Sequence, residues 1–135
     1  MNTETEQLTK ATTIHLLNAQ ALISKPDSWQ KDSMEAIDRA GRVKRCLCGA
    51  IYEAVGKQEE YFREVLGMIA RQVQKEADID VRLNWYASKH GFTSIDIGIV
   101  MQEDWINAFN DYPTTTHKDV IAIIEKTINN NKIER

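Results

Sequence analysis

A chain of 135 residues, 42% hydrophobic and 27% charged, has the size and composition of one folded domain whose core needs no covalent staples. A formal net charge of −3, from 17 basic and 20 acidic residues, excludes a general pull toward nucleic acid or an anionic membrane. The polar opening from Met1 to Glu6 does not read as a secretory leader, and no apolar run approaches the roughly 20 residues of a membrane span. Cys46 and Cys48, one residue apart, cannot tie distant segments together, so the chain is expected in a reducing, cytoplasmic setting.

The first predicted element is a helix from Glu4 to Ser24, with Leu8, Ala11, Ile14, His15, Ala19, Leu22 and Ile23 on one broad arc. Pro26 ends it, because proline disfavours helix in the residue before it. The stretch from Trp29 to Lys44 is the least helical, and Asp38-Arg39-Ala40-Gly41-Arg42 reads as the turn of a small hairpin. A short helix follows from Cys46 to Val55, with Gly56 past its end. From Glu59 to Lys75 the pattern is strongly amphipathic, with Phe62, Val65, Leu66, Ile69 and Val73 inward. Asp78 or Asp80 caps a further helix over Leu83, Tyr86, Ala87 and His90 that stops at Gly91.

Between Ser94 and Phe109 the sequence supports two readings. Ile95, Ile97 and Ile99 alternate like a strand, yet Ser94 and Asp96 also suit a helix start, and helix is preferred. Thr116-His117-Lys118-Asp119 is a capping box with Asp in the fourth position, opening a last helix with Val120, Ile121, Ile124 and Ile128 inward. Asn129 to Asn131 end that helix. The expected fold is mainly α: one domain over 1–135, roughly five helices with a hairpin or extended loop near 29–44, and with 1–4 and 130–135 frayed.

Two segments far apart in the chain hold the residues with chemical potential. Cys46 follows Lys44 and Arg45 into a helix start, a setting that favours a thiolate. Its bland counterpart is a small buried hydrophobe. Cys48 lies about 200° around the helix from Cys46, so the pair suits neither a metal nor a disulfide. Gly49, inside a helix, marks a close approach, either by another helix or by a ligand. His117 sits in the first turn of the last helix, where a neutral imidazole suits a general base and equally a ring bonded to a loop carbonyl. Asp111 can orient His117, or act with Asn110 as an ordinary turn residue. His15 reads as a satisfied core residue, and no histidine pair has helical metal spacing. Arg39, Arg42 and Arg45 belong to a local basic run, usually a solvated loop. No phosphate-cradling glycine loop appears, so no cofactor and no metal are expected.

Trp29, Ala36-Ile37-Asp38-Arg39-Ala40-Gly41, Cys46-Leu47-Cys48-Gly49-Ala50, and Asn110-Asp111 with His117 and Val120 together resemble a bacterial and phage family, the domain of unknown function family 6197. Phe109 stands where that family usually has tryptophan, and the stretch from about Lys57 to Glu103 shows no matching motif. The resemblance implies that Cys46, Gly49, Asn110, Asp111 and His117 belong to one recurring design, with no activity to transfer.

The leading functional expectation is an accessory protein that binds a protein partner, with no membrane or nucleic-acid role. Its surface would be the Trp29 to Arg45 segment, with Gly49 and Asn110 as further candidate binding residues, since aromatic and Arg side chains anchor interfaces. A second reading is a hydrolase or acyl transferase with Cys46 as nucleophile, His117 as base and Asp111 as orienting group. A third is a small anionic ligand held by the basic loop.

Overall fold

The computed structural model describes residues 3–76, 78–91 and 102–133. Six α-helices and one two-stranded sheet are found there: α1 (Thr3–Leu22), β1 (Glu35–Ile37), β2 (Val43–Arg45), α2 (Leu47–Ala54), α3 (Glu59–Glu76), α4 (Ile79–His90), α5 (Gln102–Asp111) and α6 (His117–Ile133). A single 3-10 turn, Pro26–Ser28, separates α1 from the loop that leads to the hairpin. The mainly helical class with a small hairpin is as read from the sequence, with six helices rather than about five. The segment 92–101, where strand and helix readings competed, lies outside the described residues.

Burial of helix faces organises the domain. α1 packs on α2, α3 and α6; α3 packs on α5 and α6; α4 rests on α5. Leu16, Ile23, Leu47, Ile51, Val65, Ile69, Ile106 and Ile124 are fully enclosed where these faces meet. Burying each such aliphatic side chain contributes about 1.5–3 kcal/mol before conformational entropy is counted. The inward positions of α3 are those its periodicity predicts; α6 buries the predicted Val120, Ile124 and Ile128, with Ile123 enclosed and Ile121 half-buried.

α1 is rotated from its predicted arc. Thr12, Leu16, Ala19 and Ile23 face the core, while Ile14 is exposed. Its apolar residues run almost all round the helix, so the sequence does not single out one stripe. The end of α6 also differs from expectation. The helix continues through the asparagine run to Ile133. Asn130 Nδ2 donates to Gln72 Oε1 on α3 at 2.5 Å, and Asn131 Nδ2 donates to Thr13 Oγ1 on α1 at 2.8 Å. Those side chains bond to neighbouring helices instead of competing for their own backbone, which removes the reason asparagine stops a helix.

The hairpin pairs Glu35 with Arg45, Ala36 with Lys44, and Ile37 with Val43. Asp38 makes its turn: Oδ1 accepts from the backbone N–H groups of Ala40 and Arg42, both at 2.9 Å. Those bonds, the Arg42 N–H foremost, hold the Asp38 carboxyl below its ordinary value. Gly41 takes the left-handed conformation at φ 82°, which explains glycine there. The residues Asp38 to Arg42 were thus legible as a turn, and this chemistry is why.

Candidate functional site

Of the predicted site residues, Trp29, Cys46, Gly49, Asn110 and Asp111 come together where α2 begins, α5 ends and the loop before β1 crosses them. Asn110 is at the centre. Read in the sequence as a turn residue, it instead occupies the last turn of α5 with its side chain fully buried. Its Oδ1 accepts from the Trp29 indole Nε1–H at 2.7 Å and from the Leu47 backbone N–H at 3.1 Å. Its Nδ2 donates to the Gln30 carbonyl at 3.1 Å and to Asp111 Oδ1 at 2.8 Å. One side-chain amide therefore fastens the loop and satisfies an orphan N–H at the start of α2. Asp111 extends this contact, accepting also from the Asp32 backbone N–H at 3.0 Å. Asp32 itself has φ 74° and pairs with Lys89 Nζ at 2.6 Å. Lys31 Nζ donates to the Tyr112 carbonyl at 2.7 Å.

Gly49 faces the same loop from α2. A Cβ placed there would lie 1.9 Å from the Met34 carbonyl oxygen. The close approach read from the sequence is therefore made by the backbone entering β1, rather than by a neighbouring helix.

Cys46 is the N-cap of α2, one residue before its first turn, and Sγ accepts from the Gly49 N–H at 3.4 Å. Three backbone N–H groups favour its thiolate, but burial, the larger influence, pushes the thiol above its ordinary value, and the Asp111 charge adds to that. Cys48 is pushed up further by burial, with Sγ 3.9 Å from the Glu103 carbonyl. Both are free and buried. In the native protein at neutral pH, iodoacetamide should therefore modify Cys46 at least tenfold more slowly than a free thiol, with the full rate returning in denaturant. Fast native alkylation of a Cys48→Ala chain would show a thiolate that this environment does not predict.

His117 opens α6 inside the predicted capping box: the Thr116 N–H donates to Asp119 Oδ2 at 2.9 Å, and the Asp119 N–H donates to Thr116 Oγ1 at 3.2 Å. Its Nε2 lies 2.6 Å from the Ile23 carbonyl, so that nitrogen carries the proton and donates to the end of α1. Its ring lies tilted 6.0 Å from that of Trp29. The Ile23 carbonyl, rather than Asp111, orients the imidazole. Among the described residues no hydrogen bond joins Cys46, His117 and Asp111 to one another. His15 packs on Tyr61 at 5.3 Å and its buried Nδ1 has no hydrogen-bond partner among the described residues, so it is not the satisfied core residue that was expected.

The arginines lie on the other side of this junction, on the hairpin. Arg42 pairs with Asp38 at 2.8 Å and Asp27 at 3.2 Å. Arg45 Nε is 3.4 Å from Glu35 Oε2, an ion pair outside hydrogen-bond geometry. Arg39 is exposed and has no partner among the described residues. Around them stand Met34, Ile37 and Val43, exposed by 43%, 68% and 36%. The sequence reading missed these three, and the signal available was their place on a hairpin with no second layer to cover it.

None of the predicted site residues lines the surface cleft formed by Glu76, Arg82, Phe109, Asp119 and Lys126. Its Lys126 and Glu76 pair with each other, and Arg82 donates to Thr115 Oγ1. Among the described residues no group of His, Cys, Asp and Glu could hold a metal ion, and no helix is long and apolar enough to cross a membrane.

No curated protein and no solved structure matches the chain. A family model does, over residues 8–130, nearly the whole chain and more than the motifs alone cover. Of the residues that carried the resemblance, Trp29, Gly49, Asn110 and Asp111 dock the loop onto α2 and α5, and the chain belongs to the family of unknown function DUF6197.

Proposed function

We propose that this chain is an accessory protein of bacterial or phage origin that acts in the cytoplasm by binding another macromolecule through the β1–β2 hairpin. The observation behind this reading is the hairpin's exposed surface. Ile37 and Val43 form a cross-strand pair open to solvent, with Met34 beside them and the unpaired Arg39 at the tip. Apolar side chains flanked by arginine make the usual core and anchors of an interface. The junction at Asn110 supports the same reading. It uses Trp29, Gly49, Asn110 and Asp111 to fix a loop that would otherwise be mobile, and a pre-ordered surface binds at lower entropic cost.

A photo-crosslinking amino acid placed at position 37 or 43 tests this in the source cell. It should give one discrete adduct that disappears on Arg39→Glu, while the same probe at exposed Arg63 on α3 should give none. Equal labelling from all three positions would assign the hairpin no binding role.

A further inference from the structure

The hairpin has an open edge as well as an open face. Asp38 N–H donates to the Arg42 carbonyl at 3.0 Å, so Asp38 and Arg42 are a hydrogen-bonded pair of the antiparallel ladder. Such pairs alternate along the strands, which makes Ala36 and Lys44 the next one. The backbone groups of Glu35 and Ile37 then point away from β2. Among the described residues none of them has a hydrogen-bond partner. On the far side of β2 the situation differs: the Gln30 N–H donates to the Arg45 carbonyl at 3.1 Å, and Trp29 bridges to Arg45. β2 is covered at Arg45, and β1 is bare over Glu35 and Ile37.

An unpaired edge is a template for another strand unless charge or shape blocks it. Here the strand is short, and the outward Ile37 is 68% exposed beside Val43. Charge sets the partner. From Glu35 to Arg45 the hairpin has Glu35 and Asp38 against Arg39, Arg42, Lys44 and Arg45, a formal +2 in a chain of −3. Both acidic residues are held by Arg45 and Arg42, whereas Arg39 and Lys44 have no partner among the described residues. A second copy would bring the same surplus cations to the same edge, and a basic segment would be repelled.

We infer that the outer edge of β1 accepts an extended, acidic segment of a partner protein as a third strand. The backbone groups of Glu35 and Ile37 would pair with it, its apolar side chains would lie on Ile37 and Val43, and its carboxylates would meet Arg39 and Lys44. This rests on the hairpin being the binding surface. A three-residue edge offers few backbone bonds, so the side-chain contacts and the charge must supply much of the affinity. The complex should therefore weaken with salt.

The test uses the full chain and two pooled display libraries of seven-residue segments. One alternates Val, Ile or Thr with Asp or Glu; the other alternates the same residues with Lys. The acidic library should enrich at least tenfold over the basic one. An enriched segment should slow amide exchange at Glu35 and Ile37 and lose at least tenfold in affinity when N-methylated at alternate residues. Ile37→Pro should abolish enrichment, since within the ladder proline removes an N–H that faces solvent, along with the exposed isoleucine side chain, and the N-methylated segments separate the two; circular dichroism and the Asp38 to Arg42 amide shifts report whether the hairpin is retained. Should that variant misfold, the N-methylated segments remain as the probe.

Segments that bind and respond to Arg39→Glu but tolerate N-methylation would leave the hairpin as the surface and overturn strand addition. No enrichment from either library, with a crosslinked adduct still formed at position 37, would do the same. Loss of both enrichment and adduct would remove the surface reading itself. Concentration-dependent dimerisation abolished by Ile37→Pro would give the edge to a second copy of the chain.

Discussion

Asn110→Leu should cost about 3–5 kcal/mol of folding stability, a large part of the roughly 5–15 kcal/mol that holds such a domain. Leucine keeps the heavy-atom branching of asparagine with bulkier methyl groups, so the substitution removes the hydrogen bonds without opening a cavity and adds some overpacking. It strips the acceptor from the Trp29 indole N–H and the Leu47 N–H, and the donor from the Gln30 carbonyl and Asp111. Each buried group left unpaired costs about 1–3 kcal/mol, and they share one site, so the losses do not simply add. Urea denaturation should show a lower midpoint with an unchanged slope. A loss below about 1 kcal/mol would mean that water replaces the amide and that the junction is not as dry as its burial indicates.

Asn110→Asp sharpens the point through pH. A carboxylate keeps the acceptor but loses the donor and faces Asp111. Its charged form is disfavoured in the folded state, so its folded pKa lies above the unfolded value. Stability contributed by the neutral form is then present in acid and lost as pH rises through the folded pKa. The deficit relative to the wild-type chain should therefore be smaller near pH 4 than near pH 7. A deficit independent of pH would show that the side chain at position 110 reaches water.

The contrast between α3 and Asn110 shows what the sequence can and cannot display. Phe62, Val65, Leu66, Ile69 and Val73 announce their own burial because period and polarity coincide within one helix. The capping box at Thr116 and the turn at Asp38 were legible for the same reason, as their partners lie three or four residues away. Asn110 bonds to Trp29, Gln30 and Leu47, each more than 60 residues distant, and nothing local separates that role from a turn. The family resemblance marks Asn110, with Cys46, Gly49, Asp111 and His117, as part of one design. At Cys46 and His117 the local sequence leaves chemistry and structure both open, because helix-start positions suit catalysis and capping alike. The contact from His117 to Ile23 belongs to tertiary structure, as does the burial that raises the Cys46 thiol.

Gly49→Ala joins stability to the binding surface. In an isolated helix the change would stabilise by about 1 kcal/mol. Here the new methyl would lie 1.9 Å from the Met34 carbonyl oxygen and 2.7 Å from its carbon, both backbone atoms, so the chain entering β1 must move. Overpacking of this kind costs about 1–3 kcal/mol and should outweigh the gain in propensity. The movement has a direction, because α2 sits in the core beside α1 while Met34 leads into an exposed hairpin. The hairpin should yield before the helix does. Amide exchange should accelerate at Gln30 and Asp32, which bond to Arg45 and Asp111, while protection persists at Ile69 and Ile124. Crosslinking from position 37 should fall in parallel, since the Gly49 contact holds the hairpin in its docked orientation. A Gly49→Ala chain more stable than wild type, with unchanged exchange at Gln30, would mean that the Met34 carbonyl gives way without moving the strand, and the hairpin would then owe its orientation to the Asn110 and Asp111 bonds rather than to Gly49.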